Sequence, residues 1–193
     1  MNTPNKLTIA RMIATPVFMA TMLIEFPYHF TVSLILFIAA SLTDMIDGKM
    51  ARKYNLITDF GKFLDPLADK MLTTAAFLGF IKLGIGWQIT WIVFIVLFRE
   101  FLVTSLRLVV VSSGGKVIAA NMWGKCKTVS QMAALVFALL TCAIRYDFSV
   151  CNATFATVSD VIISVLFWIS AVLCIISGVI YLMASKEYID PSK

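Results

Sequence analysis

Six long runs of apolar residues alternate with short polar segments along the chain. They cover roughly residues 7–25, 30–50, 60–82, 87–111, 127–144 and 158–184. Crossing the hydrocarbon of a bilayer takes about 20 helical residues. Because backbone groups in lipid must be paired within their own segment, runs of this length predict helices. The pattern therefore predicts an all-α integral membrane protein with six transmembrane helices.

The composition agrees with lipid as the solvent for most of the chain. Of its 193 residues, 60% are hydrophobic and 14% are charged. Water-soluble domains carry roughly a quarter charged residues. No stretch between the apolar runs resembles a water-soluble core, so we expect a single membrane domain over residues 1–193.

The basic residues predict the orientation of the helices. With the N-terminus in the cytoplasm, the outer turns carry only Lys82 and Arg145. The inner side then holds Lys6, Arg11, Lys49, Arg52, Lys53, Lys62, Lys116, Lys125, Lys127 and Lys186. This asymmetry follows the positive-inside rule and places both termini in the cytoplasm. Topology and anionic lipid thus explain the net charge of +5, and no nucleic-acid partner is needed.

Four aspartates occupy the polar stretch DMIDGKMARKYNLITDFGKFLDPLAD, residues 44–69. Asp44 and Asp47 are three residues apart, and Gly61, Asp65 and Asp69 are spaced by four, so each set shares one face of a helix. Residues 48–59 predict a break at the cytoplasmic surface. A hairpin of this kind would bring the two carboxylate pairs together.

The depth of these aspartates points to function. If the third helix begins near Asp59, Asp69 lies ~15 Å along its axis. Carboxylates at such depth usually face a cavity and mark a functional site. Converging carboxylates would repel one another without a cation, and Mg²⁺ prefers oxygen ligands shared with substrate phosphates. Surface pairing with neighbouring lysines is the structural alternative, and we favour it only for Asp59, which lies outside the stripe.

These residues resemble the signature of the CDP-alcohol phosphotransferase family. The matching pattern is Asp44-x2-Asp47-Gly48-x2-Ala51-Arg52-x8-Gly61-x3-Asp65-x3-Asp69. The resemblance implies the six-helix membrane fold of that family, a CDP-activated lipid as donor, and commonly a homodimer. It also implies two Mg²⁺ or Mn²⁺ ions bridging the diphosphate of the donor.

The resemblance assigns roles to the signature positions. Asp44, Asp47, Asp65 and Asp69 would hold the metal ions, and Asp69 would also be the general base that takes the proton of the acceptor hydroxyl. The other signature residues would contact the CDP-lipid, and so would two residues of the first helix. These CDP-lipid positions are Gly48, Ala51, Arg52, Gly61, Asn5 and Thr8.

Charges in the fourth and fifth runs indicate a phosphorylated acceptor. Arg99 lies ~18 Å from the cytoplasmic end of the fourth run, and Arg107 follows it by eight residues on roughly the same face. Guanidinium groups bind phosphate oxygens in pairs. The alternative is that Arg99 and Glu100 form a structural pair and that Lys125 and Lys127 serve only as topology signals.

Further segments resemble the family members that use sn-glycerol 3-phosphate. They are PNKLTIAR at residues 4–11, REFLVTSLR at 99–107, GKCKT at 124–128 and GKFLDPLADK at 61–70. The resemblance implies transfer of the phosphatidyl group of CDP-diacylglycerol to sn-glycerol 3-phosphate, with release of CMP. The acceptor phosphate would be held by Arg99, Arg107, Lys127 and Arg11. The enzyme would lie in the bacterial inner membrane, with its site open to the cytoplasm.

Two alternatives stay open at this point. The same chemistry could act on another acceptor, such as inositol phosphate or serine. A cation-coupled transporter could instead use the aspartates as an ion site in broken helices. The absence of an inverted repeat and the position of the polar break at one membrane face argue against the transporter.

Overall fold

The structure is a computed structural model that describes residues 3–53, 59–112, 122–150 and 152–186. Side chains within these ranges are described except at 3–4, 45–53, 59–63, 65–66, 69 and 112. The described part of the chain is all-helical and contains no strand. Its elements are α1 (Thr3–Leu23), α2 (His29–Lys53), α3 (Asp59–Leu83), α4 (Ile89–Ser112), α5 (Met122–Cys142), a π-helical turn (Ala143–Asp147) and α6 (Ala153–Ala184).

Each predicted apolar run coincides with one of the six α-helices. The ends agree within five residues, and the largest differences are at the starts of α5 and α6. There the helix begins five residues before the apolar run, so the helix extends beyond the continuous apolar stretch. The all-α prediction is confirmed for the described residues.

Within the described part of the chain, three helices are long and apolar enough to cross a membrane by length and composition. They cover Asn5–Leu23, Met122–Asp147 and Ala153–Ala184, and a shorter apolar helical stretch covers His29–Asp44. Large apolar side chains on the helices also point outward. On α4, Phe94, Phe98 and Phe101 are each more than half exposed. Outward apolar side chains along whole helices are typical of a protein surrounded by lipid.

The chain divides into two compact units. The first contains residues 1–85 and 135–160. In it α1 packs against both α2 and α3. Phe18 of α1 and Phe37 of α2 are fully buried, with ring centroids 5.5 Å apart. On α3, a Cβ at Gly79 would lie 2.4 Å from Sδ of Met22, so this glycine allows α1 and α3 to approach closely.

The second unit contains residues 86–134 and 161–193. It holds α4, the first part of α5 and most of α6. Ile92 and Val96 of α4 are buried, as are Ile163 and Phe167 of α6. The segment entering α4 is fixed to α6, because the backbone N–H of Trp87 donates to Oγ of Ser164 at 2.9 Å.

The first turn of α2 is capped by a side chain far away in sequence. The N–H of Thr31 has no partner within its own helix, since the first i→i−4 bond of α2 is donated by Val32. Instead, Oδ2 of Asp147 accepts from Thr31 N at 2.6 Å and from Thr31 Oγ1 at 2.7 Å. The carboxylate is also favourable at the positive end of the helix dipole. The π-helical turn that carries Asp147 therefore stabilises the start of α2.

This capping interaction predicts the effect of changing Asp147. Asp147→Ala leaves the Thr31 N–H and hydroxyl without their acceptor, which should destabilise the protein by about 1–2 kcal/mol. We expect the Tm in detergent to fall by about 2–8 °C. Asp147→Asn keeps an acceptor oxygen and should lose less. Equal Tm values for Asp147→Ala and the unchanged protein would show that this cap does not stabilise α2.

Candidate active site

The eight signature positions lie on the facing ends of two consecutive helices. Five are in the last part of α2, and three are in the first part of α3. The helical backbone at these positions confirms that Asp44 and Asp47 share one face, and that Gly61, Asp65 and Asp69 form one stripe. The expected break over residues 48–59 is too long, because α2 continues to Lys53. Its last residues, Met50 to Lys53, are good helix formers.

Asp44 is the one signature aspartate whose side chain lies within the described residues. Its Oδ1 accepts from Nη1 of Arg11 on α1. The Arg11 side chain is 1% exposed, whereas that of Asp44 is 42% exposed. The buried guanidinium thus holds one carboxylate oxygen from the protein side while the carboxylate stays open on its other side.

The first helix contributes a polar face to this end of the first unit. Asn5, Thr8 and Arg11 are spaced by three, and all three are buried at 6%, 1% and 3% exposure. The hydroxyl of Thr15, one turn further, donates to the carbonyl oxygen of Arg11 at 3.0 Å. The structure therefore brings these predicted residues to one face of α1, where Arg11 forms an ion pair with Asp44. A role for Arg11 in binding the acceptor phosphate stays a prediction.

The side chains of the remaining signature residues lie outside the described part of the structure. These are Asp47, Gly48, Ala51, Arg52, Gly61, Asp65 and Asp69. Their convergence on metal ions is consequently a prediction. Among the described side chains, no three His, Cys, Asp or Glu residues are grouped as metal ligands.

The second unit contains a largely buried charged cluster that joins α4 to α5. Oε1 of Glu100 accepts from Nη1 of Arg99 at 3.2 Å and from Nζ of Lys127. The three side chains are only 16%, 17% and 9% exposed for Arg99, Glu100 and Lys127. Two cations share one carboxylate, so the cluster keeps one positive charge in excess. The buried Nε of Arg99 has no hydrogen-bond partner among the described groups. A cluster with an excess cation and an unused donor is suited to bind an anion.

The other predicted phosphate ligand of α4 lies apart from this cluster. Arg107 is exposed, two turns beyond Arg99 and ~12 Å further along the helix axis. Lys125 on α5 is also exposed, in contrast to the buried Lys127. The structure thus brings together Arg99 and Lys127 of the predicted acceptor ligands.

Sequence reasoning missed the contribution of α6. A Cβ at Gly178 would lie 3.0 Å from Cγ of Arg99, so the bare backbone of α6 accommodates the aliphatic stem of this arginine. A lone glycine within a 32-residue apolar helix was the available signal. The sequence pairs Glu100 with one cation, Arg99, whereas in the structure its Oε1 accepts from both Arg99 and Lys127.

The all-helical fold and the aspartate signature are those of a membrane-embedded CDP-alcohol phosphotransferase, and comparison with known families gives the same class. The family model of CDP-alcohol phosphatidyltransferases matches residues 1–176, and the chain belongs to this family.

Curated relatives are similar over nearly the whole chain. The chain is 39% identical to the CDP-diacylglycerol–glycerol-3-phosphate 3-phosphatidyltransferase of Bacillus subtilis, covering 99% of this chain and 98% of the relative. It is 38% identical to the protein of the same name from Rickettsia bellii, covering 97% of both. A probable phosphatidylglycerophosphate synthase of Mycobacterium tuberculosis is 38% identical over 69% of this chain and 64% of its own length.

The charged cluster predicts how substitutions at Glu100 and Lys127 combine. Glu100→Gln leaves two buried cations without their shared carboxylate, which should destabilise the protein by on the order of 3 kcal/mol. The double variant Glu100→Gln with Lys127→Met carries one excess charge again, as the unchanged protein does. We therefore expect its Tm in detergent to lie above that of Glu100→Gln alone. Additive losses of Tm would contradict the coupling of these residues.

Proposed function

We propose that the chain is a membrane enzyme that transfers the phosphatidyl group of CDP-diacylglycerol to sn-glycerol 3-phosphate. The products are phosphatidylglycerophosphate and CMP, on the route to the anionic phospholipids phosphatidylglycerol and cardiolipin. The observation that carries this proposal is the similarity, over nearly the full length, to relatives whose names state this donor and this acceptor. The buried cluster of Arg99, Glu100 and Lys127 supports it, since its excess positive charge suits a phosphorylated acceptor.

The transfer exchanges one phosphorus–oxygen bond for another. The terminal hydroxyl oxygen of the acceptor bonds to the phosphorus that carries the diacylglycerol. The bond from this phosphorus to the phosphate oxygen of CMP breaks, and CMP leaves with the electron pair. The hydroxyl proton passes to the carboxylate of Asp69, the last residue of the α3 stripe. A base at the operating pH is expected to accelerate such a step by about 10²–10⁴-fold.

The donor set of α2 and α3 fits a hard divalent cation. It is made of carboxylates alone, and Asp44 keeps an open side while Arg11 holds its Oδ1. We assign Asp44, Asp47, Asp65 and Asp69 to hold Mg²⁺ or Mn²⁺, with two ions expected. When bound, the ions would neutralise the charge of the donor diphosphate. Arg11 would orient Asp44 for this role.

The remaining residues divide between the two substrates. Gly48, Ala51 and Gly61 would let the CDP group come close to the helix backbones, because small residues leave room there. Asn5, Thr8 and Arg52 would contact the same group. We assign the acceptor phosphate to Arg99 and Lys127, with contributions from Arg107 and Arg11.

The proposal includes a topology and an assembly. All six helices would span the bacterial inner membrane as a single domain, with both termini in the cytoplasm and the site open to that side. The distribution of Lys and Arg supports this orientation. A homodimer is proposed from the family resemblance. The comparisons give no support to inositol phosphate or serine as the acceptor, or to a transporter.

The proposed base and metal ligand are tested by a matched pair of aspartate variants on α3. We expect the purified protein to release CMP from CDP-diacylglycerol only when both sn-glycerol 3-phosphate and Mg²⁺ or Mn²⁺ are present. Asp69→Asn should lower this rate by at least about 100-fold, whereas Asp59→Asn should stay close to the unchanged protein. A fully active Asp69→Asn would disprove the base assignment. If the unchanged protein released no CMP with sn-glycerol 3-phosphate, the proposed function itself would be wrong.

A further inference from the structure

A buried amide on α5 has no partner in the described part of the protein. Gln131 is 4% exposed, and its Oε1 is buried without a hydrogen-bond donor among the described groups. An unpaired buried amide costs about 1–3 kcal/mol, so a native protein that keeps one usually has a ligand or a function for it. A buried polar side chain on the same helix behaves differently: the hydroxyl of Thr141 donates to the carbonyl oxygen of Phe137 at 2.8 Å.

Gln131 lies next to the charged cluster of the second unit. It follows Lys127 by four residues, which puts both side chains on one face of α5 and about 5–6 Å apart at their Cβ atoms. Lys127 is buried as well and is held by Glu100, which also holds Arg99. An anion bound at Arg99 and Lys127 would therefore have a neutral hydrogen-bonding group one helical turn away.

Helix α6, which contacts Arg99, supplies a second polar group of this kind. Gly178 faces the stem of Arg99, and Tyr181 follows Gly178 by three residues on the same side of the helix. Tyr181 is buried, and its hydroxyl has no hydrogen-bond partner among the described residues. The second unit thus contains two buried neutral groups without partners among the described residues, one helical turn along the chain from Lys127 and from Gly178 respectively. Neutral groups of this kind suit a ligand that has hydroxyls beside its anionic group.

We propose that Gln131 binds the secondary, C2 hydroxyl of the glycerol phosphate acceptor. This inference rests on the proposed function. One helical turn rises about 5.4 Å, which is on the order of the length of a three-carbon phosphate, so the phosphate can lie at Arg99 and Lys127 while the C2 hydroxyl lies at Gln131. The amide can accept from this hydroxyl through its oxygen or donate to it through its NH₂ group. The terminal C1 hydroxyl then stays available for the transfer.

The test compares two acceptors in the metal-supplemented enzyme. 3-Hydroxypropyl phosphate keeps the phosphate and the attacking terminal hydroxyl of sn-glycerol 3-phosphate and lacks only the C2 hydroxyl. We expect the unchanged protein to prefer sn-glycerol 3-phosphate by about 10- to 100-fold in kcat/KM, because the analogue leaves the amide unpaired. Gln131→Met, which has similar length and no hydrogen-bonding amide, should remove most of this preference. It should do so by lowering kcat/KM for sn-glycerol 3-phosphate, with the KM for CDP-diacylglycerol unchanged.

The matched control is Thr141→Val. Thr141 is on the same helix and is also 4% exposed, but its hydroxyl bonds the backbone of its own helix. This variant should keep the full preference for sn-glycerol 3-phosphate.

The inference is overturned if the unchanged protein uses both acceptors equally, or if Gln131→Met lowers kcat/KM for both by the same factor. If Gln131→Met does not fold, Gln131→Asn is the second variant. It keeps the amide but withdraws it by one methylene from the C2 hydroxyl, so it should lose most of the preference. A folded Gln131→Asn with the full preference would also overturn the inference. Release of CMP with neither acceptor in the unchanged protein would instead contradict the proposed function.

Discussion

The structure depends on the pairing of charges that an apolar chain has to bury. A lone ionised side chain within a membrane helix costs a few kcal/mol, and the described charges buried in the helices are paired across helices. Arg11 of α1 binds Asp44 of α2, and Lys127 of α5 binds Glu100 of α4. Each pair therefore fixes two helices to one another as well as neutralising charge. Substitutions at these residues should affect stability and activity together.

Two charged groups at proposed substrate positions differ in what they leave available to a ligand. Asp44 keeps an open side although Arg11 holds one oxygen, and the cluster of Arg99, Glu100 and Lys127 retains one excess positive charge. The first arrangement suits a cation and the second suits an anion. In the proposed reaction, Asp44 would help to hold the metal ions at the donor diphosphate, and the basic side chains of the cluster would hold the acceptor phosphate.

The apolar pattern predicted the helices, and the aspartate spacing predicted which signature positions share a helix face. The six runs coincide with helices because helix formation in lipid is imposed by the backbone itself. The break between α2 and α3 was predicted too long, since polar residues such as Arg52 and Lys53 end an apolar run without ending a helix. The contacts of Glu100 with two cations, of Gly178 with Arg99, and the burial of Gln131 depend on how α4, α5 and α6 pack. One-dimensional periodicity carries no information on which helices are neighbours.

The most direct test of the account is the identity of the lipid product. The purified protein in detergent is given CDP-diacylglycerol, Mg²⁺ and ¹³C-labelled sn-glycerol 3-phosphate, and the extracted lipids are analysed by mass spectrometry. We expect labelled phosphatidylglycerophosphate in a one-to-one ratio with CMP. Labelled lipid that is absent while CMP accumulates would show that the acceptor is a different molecule, and would contradict the assignment of the basic cluster to glycerol phosphate.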